Sequence, residues 1–195
     1  MKNTELWAYD ALKQKAEDLV REKIKGSRKG LLNEPNYLHS FRVRDIVIQC
    51  HHWDDGDYDL FLAALLHDVV EDGGVSLEEL ERLGFSDQTI RYVELCTHPM
   101  DVKNHTERWV LMLAKIIEAK DVDVWRIKMA DLTDNLSQSK GLTPENRKFM
   151  IETKAPMLLR LTEGGFMLQP HRNALDIEMQ KQQKELIDLS SEAHV

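Results

Sequence analysis

Two short stretches of the sequence place ionisable side chains among apolar neighbours. They are Leu65-Leu66-His67-Asp68-Val69-Val70-Glu71-Asp72 and Lys128-Met129-Ala130-Asp131-Leu132-Thr133-Asp134-Asn135. An imidazole or a carboxylate within a packed helix face is costly to bury without a partner. A divalent cation would serve several such groups at once, and His39 offers one more candidate ligand upstream. These residues predict a metal site made of His39, His67, Asp68 and Asp131.

The donor set of this site indicates what chemistry it would support. Two imidazoles and two carboxylates suit manganese, iron, cobalt, nickel or zinc, and magnesium is a further alternative. Such an ion lowers the pKa of bound water and polarises a phosphoryl oxygen, which are the two requirements of hydrolysis at neutral pH. Glu71 and Asp72 follow His67 and Asp68 at a spacing of four residues, where they would orient or deprotonate the water. The pattern therefore predicts a metal-dependent phosphohydrolase.

The elements that must position these residues are helices. Apolar residues recur at intervals of three and four along nearly the whole chain, which predicts an all-α fold. Ser76, Ser86 and Thr143-Pro144 are typical helix starts, whereas either Asn104 or Thr106 would begin the helix between the last two. The predicted helices cover residues 5–25, about 39–50, 58–70, 76–84, 87–97, 104–118, 122–139, 144–163 and part of 170–195. We expect one domain over residues 1–169 and a peripheral C-terminal helix and tail over 170–195.

Composition restricts the partners of the chain. The 195 residues carry a net charge of -8 and a pI near 5.5, which oppose binding to long nucleic acid but not to a small phosphorylated nucleotide. The mean hydropathy is -0.46, and no segment has the roughly 20 apolar residues of a membrane span or the apolar core of a signal peptide. We therefore expect a cytoplasmic protein without a membrane partner. Exposed apolar residues on the terminal helices would support a homodimer.

The ordered set His39, His67-Asp68 and Asp131 resembles the H…HD…D signature of the HD-domain metal-dependent phosphohydrolases. The two longer stretches quoted above are similar to the hydrolase domain of the RelA/SpoT-type (p)ppGpp enzymes and their small stand-alone relatives. Arg28-Lys29, followed by Pro35-Asn36-Tyr37-Leu38-His39, resembles the basic loop before the first metal-binding histidine of that family. The resemblance covers roughly residues 5–165, and none of it extends to the synthetase domain of the long enzymes.

The resemblance implies an HD-type helical bundle that holds Mn²⁺ and removes pyrophosphate from the ribose 3′ position of (p)ppGpp. Position by position, it implies that Glu71 and Asp72 handle the nucleophilic water. It further implies that Arg28, Lys29 and Asn135 contact the nucleotide, and Lys128 joins these candidate substrate-binding residues because it lies one turn before Asp131.

Two stretches depart from the family pattern. Ser40-Phe41-Arg42-Val43 follows His39 where the (p)ppGpp hydrolases usually continue with proline, and Asp134 stands where they commonly have histidine. These departures leave two alternatives open: a phosphohydrolase of another nucleotide, either a mono- or a triphosphate, and a non-catalytic metal-dependent nucleotide sensor. Four further histidines lack paired-ligand spacing and are interpreted as surface or structural residues, namely His51, His52, His98 and His105.

Overall fold

The computed structural model describes residues 3–28, 34–51 and 57–192, and within these ranges it describes side chains from residue 7 to 188. The described chain is all-α, as predicted, and its only extended pairing is an isolated bridge between Ser27 and Pro35. None of the described helices combines the length and the apolar content needed to cross a membrane. The α-helices are α1 Asn3–Lys23, α2 Leu38–Cys50, α3 Tyr58–Leu66, α4 Leu77–Arg82, α5 Asp87–Cys96, α6 His105–Ala119, α7 Val122–Ser137, α8 Pro144–Phe149, α9 Ala155–Leu161 and α10 Gln169–Glu192.

Helix α7 lies at the centre of the fold, because it packs against α2, α3, α5 and α10. Its apolar residues from Val124 to Leu136 are buried, and so is every residue of α3 from Leu60 to Leu66. Burial on several sides explains why these two helices are rich in Leu, Ile, Met and Ala rather than evenly amphipathic. It also means that any polar side chain on α7 must find its partner inside the protein.

Side-chain caps fix several helix starts where the sequence predicts them. The hydroxyl of Ser76 accepts a hydrogen bond from the backbone of Glu79, and Ser86 and Thr143 cap α5 and α8 in the same way. Of the two alternatives for α6, Asn104 provides the cap. The predicted starts of these helices are therefore confirmed.

Helix α3 is shorter than predicted. It ends at Leu66 rather than near residue 70, and residues 67–73 form consecutive turns. The backbone tightens there, since Val69 N donates to Leu66 O, three residues back, at 2.9 Å. Gly73 then packs so closely that a Cβ atom would lie 2.6 Å from Val69 O. Asp72 nevertheless lies one helical turn after Asp68, as predicted, because Asp72 N donates to Asp68 O at 2.9 Å.

Helices α8 and α9 are joined by a π-helical segment, Met150–Lys154, which the sequence analysis did not predict. Pro156 explains it. A proline inside a helix lacks the N–H that would bond to the carbonyl four residues back, and its ring crowds that carbonyl. The turn before Pro156 therefore widens instead of remaining α-helical.

Helix α10 packs along α7 and contacts α2 and α9. Leu175 is fully buried in this contact, and Arg147 of α8 donates to Gln182 Oε1 at 2.5 Å and to Glu185 Oε2 at 2.9 Å. These bonds tie the start of α8 to the C-terminal helix. The division of the chain at residue 169 stays a prediction.

Candidate metal and nucleotide site

Two buried histidines present a ring nitrogen to the same point. His67 Nδ1 donates to the carbonyl of Ala64 at 2.8 Å, which leaves Nε2 as the nitrogen with a lone pair. That Nε2 atom is buried and has no hydrogen-bond partner among the described residues. His39 Nδ1 donates to Asp134 Oδ2 at 2.7 Å, so its Nε2 also turns towards the site. Each ring is therefore fixed by its outer nitrogen, as in most metal-binding histidines.

Asp68 and Asp131 complete the cluster. Asp131 Oδ1 lies 3.2 Å from His39 Nε2 and 3.9 Å from His67 Nε2. Asp68 contacts both rings, because its Oδ2 lies 3.4 Å from His39 Nε2 and its Oδ1 lies 3.2 Å from His67 Nε2. One candidate donor atom each from His39, His67 and Asp131 falls within 4.8 Å of the others. The structure thus brings the four sequence-predicted ligands together at a His/Asp site that can hold a metal ion.

The electrostatics of the cluster favour a positive charge at its centre. Burial alone would lower the pKa of His39, but the hydrogen bonds that its ring donates to Asp131 and Asp134 outweigh burial and raise the pKa to about 9. Burial likewise opposes ionisation of Asp68, yet the neighbouring histidines hold its pKa below the ordinary range. At neutral pH the carboxylates are therefore ionised and attract a cation, either a proton or a metal ion.

Asp134 is the residue that links the two departures from the family pattern. Its carboxylate accepts from His39 and also from Arg42 Nε, at 2.6 Å, and Arg42 continues to Glu34. Arg42 belongs to the stretch that replaces the usual proline, and Asp134 replaces the usual histidine. The two departures are hence in direct contact. Burial alone would raise the pKa of Asp134, but the hydrogen bonds from His39 and Arg42 outweigh burial, lower the pKa and keep the carboxylate ionised.

The polar stripe predicted on α7 is present. Lys128 Nζ donates to Asp131 Oδ2 at 2.6 Å, and Asn135 Nδ2 donates to Asp131 Oδ1 at 2.5 Å. Arg28 Nη2 then donates to Asn135 Oδ1 at 2.6 Å, although 107 residues separate the two in sequence. The candidate substrate-binding residues Arg28, Lys128 and Asn135 therefore lie beside the metal cluster. Lys29, the fourth, lies outside the described residues.

Glu71 and Asp72 lie in different environments. Glu71 accepts hydrogen bonds from the backbone N of His98 at 2.6 Å and from its Nδ1 at 2.7 Å. Burial is outweighed by these bonds, so the pKa of Glu71 is lowered. Among the described residues, the Asp72 carboxylate accepts only a long hydrogen bond of 3.5 Å from Asn36 Nδ2, and burial together with the charges of Asp68 and Glu71 raises the pKa of Asp72.

A cavity of about 700 Å³ opens onto the cluster, which is a size typical of small-molecule sites. One side, the ligand wall, consists of α2, the turns after α3 and α7, with the metal cluster on it. The other side, the far wall, consists of α6, α8 and the π segment, and contributes Trp109, Phe149, Met150 and Lys154. Both His98 and His105 also line the cavity. His98, Trp109 and Lys154 were not predicted to belong to the site, because none has a motif and only the tertiary structure brings them to the cavity.

Comparisons with known proteins point to one group of enzymes. The chain is 35% identical over 136 residues to a probable guanosine-3′,5′-bis(diphosphate) 3′-pyrophosphohydrolase of Synechocystis, and 33% identical over 135 residues to the corresponding enzyme of Haemophilus influenzae. It is 31% identical over 136 residues to the bifunctional (p)ppGpp synthase/hydrolase SpoT of Escherichia coli. Each match covers 66% of this chain but only 17% to 19% of the relative, so the chain spans under a fifth of the length of these curated relatives. No family model matches the sequence.

A solved structure extends the similarity to the fold. It belongs to a metazoan orthologue of SpoT described as hydrolysing ppGpp, and it superposes with a TM-score of 0.74 at 26% sequence identity. The superposition covers 88% of this chain and 95% of that one. In sequence and in fold, the chain is a homologue of the SpoT-type (p)ppGpp 3′-pyrophosphohydrolases, with an HD-type all-α hydrolase fold.

Proposed function

We propose that the protein is a metal-dependent phosphohydrolase that removes pyrophosphate from the ribose 3′ position of (p)ppGpp. The observation that carries this proposal is the buried Nε2 atom of His67, which has no hydrogen-bond partner among the described residues and faces His39, Asp68 and Asp131. A buried polar atom without a partner is unfavourable unless a ligand occupies that position. The similarity to (p)ppGpp pyrophosphohydrolases in both sequence and fold supports the choice of substrate.

The residues of the cluster fit a divalent cation. The imidazoles of His39 and His67 and the carboxylates of Asp68 and Asp131 would hold it, and this mixed nitrogen and oxygen set suits Mn²⁺, which we propose as the metal. When bound, the ion supplies positive charge next to the scissile phosphoryl group and makes water more acidic. Asp134 and Arg42 act behind His39, because their bonds keep the His39 ring in the orientation that ligation requires.

Asp72 and Glu71 have different roles towards the attacking water molecule. The raised pKa and weak hydrogen bonding of Asp72 suit a group that accepts a proton from water as the oxygen attacks phosphorus. Glu71 is held by His98 and stays ionised, so it orients the water rather than taking its proton. The bond between phosphorus and the ribose 3′ oxygen then breaks, and that oxygen takes up a proton in place of the one that Asp72 accepted from water.

The substrate would lie in the cavity between the two walls. Arg28, Lys128 and Asn135 would bind it beside the cluster, and Lys29 belongs to the same proposed set. The polar side chains around the cluster match the phosphates of the nucleotide. The apolar and aromatic side chains of the far wall offer a surface for its base.

Purified protein loaded with Mn²⁺ should release pyrophosphate from ppGpp and leave GDP. The assay compares pyrophosphate release from ppGpp with orthophosphate release from nucleoside mono- and triphosphates under the same conditions. If the protein released orthophosphate from another nucleotide but no pyrophosphate from ppGpp, that other nucleotide would be the substrate. If the metal-loaded protein bound nucleotides without hydrolysing any of the panel, the catalytic proposal would fail and a sensor role would take its place. The cytoplasmic location and the homodimer both stay predictions.

A further inference from the structure

The cavity wall contains one half-buried cation that no described residue pairs with. The wall carries Lys25, Arg28, Lys128 and Lys154 among the described residues. Lys128 is paired with Asp131, and Arg28 bonds to Asn135 and pairs with Asp134 at 3.6 Å. Lys25 is exposed and donates to the carbonyl of Arg21. Lys154 has neither a hydrogen bond nor an ion pair with any described residue. Its electrostatic partners, Asp131 and Glu71, act on it from a distance.

Lys154 is held in place by aromatic rings instead of carboxylates. Its Nζ atom lies 5.4 Å from the ring centroid of Trp109 and 5.7 Å from that of Phe149. Such contacts orient a cation while leaving its N–H groups free for hydrogen bonds. The π segment contributes to this placement, because Lys154 is its last residue and borders the cavity together with Met150.

The surroundings of Lys154 make an anion its natural partner. Burial, together with the nearby charge of Lys128, lowers the pKa of Lys154, so its protonated form is less stable here than in water. A phosphate group within hydrogen-bond distance would reverse that effect. Asp131 of the metal cluster acts on Lys154 electrostatically, but no ion pair joins the two. Lys154 and the cluster can therefore contact different phosphates of one substrate.

We propose that Lys154 binds the 5′ phosphate chain of the nucleotide, the one that is not cleaved, and thereby selects substrates phosphorylated at both ends. This inference rests on the proposed function for the identity of the nucleotide. Lys154 contacts the substrate away from the reacting atoms, so it acts on binding more than on the chemical step. The cleaved 3′ chain is handled at the cluster of His39, His67, Asp68 and Asp131.

The test compares ppGpp with guanosine 3′-diphosphate, which lacks the 5′ chain. Lys154→Met should raise KM for ppGpp by about tenfold or more, the loss expected for one hydrogen bond to a charged group, with kcat nearly unchanged. It should leave KM for guanosine 3′-diphosphate unchanged, and Lys154→Arg should restore most of the preference. An equal rise in KM for both nucleotides would overturn the proposal, because it would indicate a contact with a shared part of the substrate or a structural role.

Lys148→Met is the matched control. Lys148 lies in α8, two turns before Lys154, but its side chain is exposed and pairs with Glu152 at 3.7 Å instead of lining the cavity. Its removal should change neither KM. A thermal melt of each variant identifies any loss of folding, and Lys154→Arg keeps the test valid if the methionine variant is unstable.

Calorimetry separates this inference from the proposed function. The Mn²⁺-loaded Asp72→Asn protein, in which turnover is slowed but the metal is kept, is titrated with the same two nucleotides, with and without Lys154→Met. Tighter binding of ppGpp that disappears in Lys154→Met supports the inference even if the wild-type protein releases no pyrophosphate. If ppGpp is hydrolysed but the preference for ppGpp over guanosine 3′-diphosphate does not depend on Lys154, the proposed function stands and the role of Lys154 is refuted. If neither nucleotide binds, both proposals are refuted.

Discussion

The two walls of the cavity differ in whether their charged side chains have partners within the protein. On the ligand wall the charged groups around the metal cluster are bonded to one another, as in the series from Arg42 through Asp134 and His39 to Asp131. On the far wall Lys154 rests on aromatic rings without an acidic partner among the described residues. A closed network fixes geometry, whereas an unpaired charge leaves binding energy for a ligand. The difference therefore separates a wall adapted to positioning from a wall adapted to recognition.

Removing two ligands should abolish the function of the ligand wall. In the variant Asp68→Ala with Asp131→Ala, two of the four candidate donors are lost, so we expect bound metal and hydrolysis to fall below detection while the helical circular-dichroism signal persists. Metal analysis and the pyrophosphate assay measure both. Glu152→Ala removes an exposed carboxylate of the far wall region and serves as the control. Hydrolysis by the double variant without metal would refute the site.

Changing the carboxylates beside the cluster should separate chemistry from metal binding. Asp72→Asn removes the proposed proton acceptor and should lower kcat by about 10² to 10⁴-fold, while metal content stays that of the wild type. Glu71→Gln should have a smaller effect on kcat, because an amide can still orient water. Because the pKa of Asp72 is raised, the acid limb of the wild-type kcat profile should lie above the ordinary carboxyl range. Equal losses in both variants would argue against this division of roles.

The contact between Arg42 and Asp134 should strengthen metal binding, but the metal should still bind without it. Arg42→Met and Asp134→Asn should each weaken Mn²⁺ binding by roughly 10 to 100-fold, the usual effect of losing a partner behind a ligand. The two effects should not add, since both residues act through His39. Arg44→Met is the matched control, because Arg44 lies two residues further along α2 and bonds to Glu17 away from the cluster. A comparable loss in this control would mean that α2 as a whole had been disturbed.

The smallest effect expected is on stability. The pKa of Asp72 is raised in the folded protein, so its ionisation opposes folding. Its favourable contribution is fully present below the unfolded value of 3.8 and is lost as the pH rises through the folded value. Asp72→Asn should therefore melt at a slightly higher temperature than the wild type at pH 7 in the presence of a chelator, and the difference should vanish in acid. A difference independent of pH would point to packing instead of charge.

The ligand wall is the part of the molecule that local sequence predicts well. His39, His67, Asp68 and Asp131 are recognisable because a polar group among buried neighbours conflicts with the helical pattern, and the caps at Ser76, Ser86 and Thr143 are local signals too. The early end of α3 is different, because it depends on the close approach of Gly73 to Val69 O.

The far wall could not be predicted in the same way. Lys154 follows no motif, and in the sequence it is an ordinary lysine of a helix. Its position depends on the contact of its side chain with Trp109 of α6 and on the effect of Pro156 on the preceding turn. Such long-range placement has no signature in residue spacing.

The π segment also sets the angular phase of the helix that contains it. Each residue of an α-helix advances the chain by about 100°, so one surplus residue in a widened turn rotates everything before it relative to everything after it by that amount. Met150–Lys154 therefore acts as a phase shift between α8, which is anchored to α10 through Arg147, and α9. Restoring a regular α-helix of the same sequence here would turn the face that now borders the cavity by about that angle, whereas deleting one residue would close the wide turn and leave the faces of both halves in place.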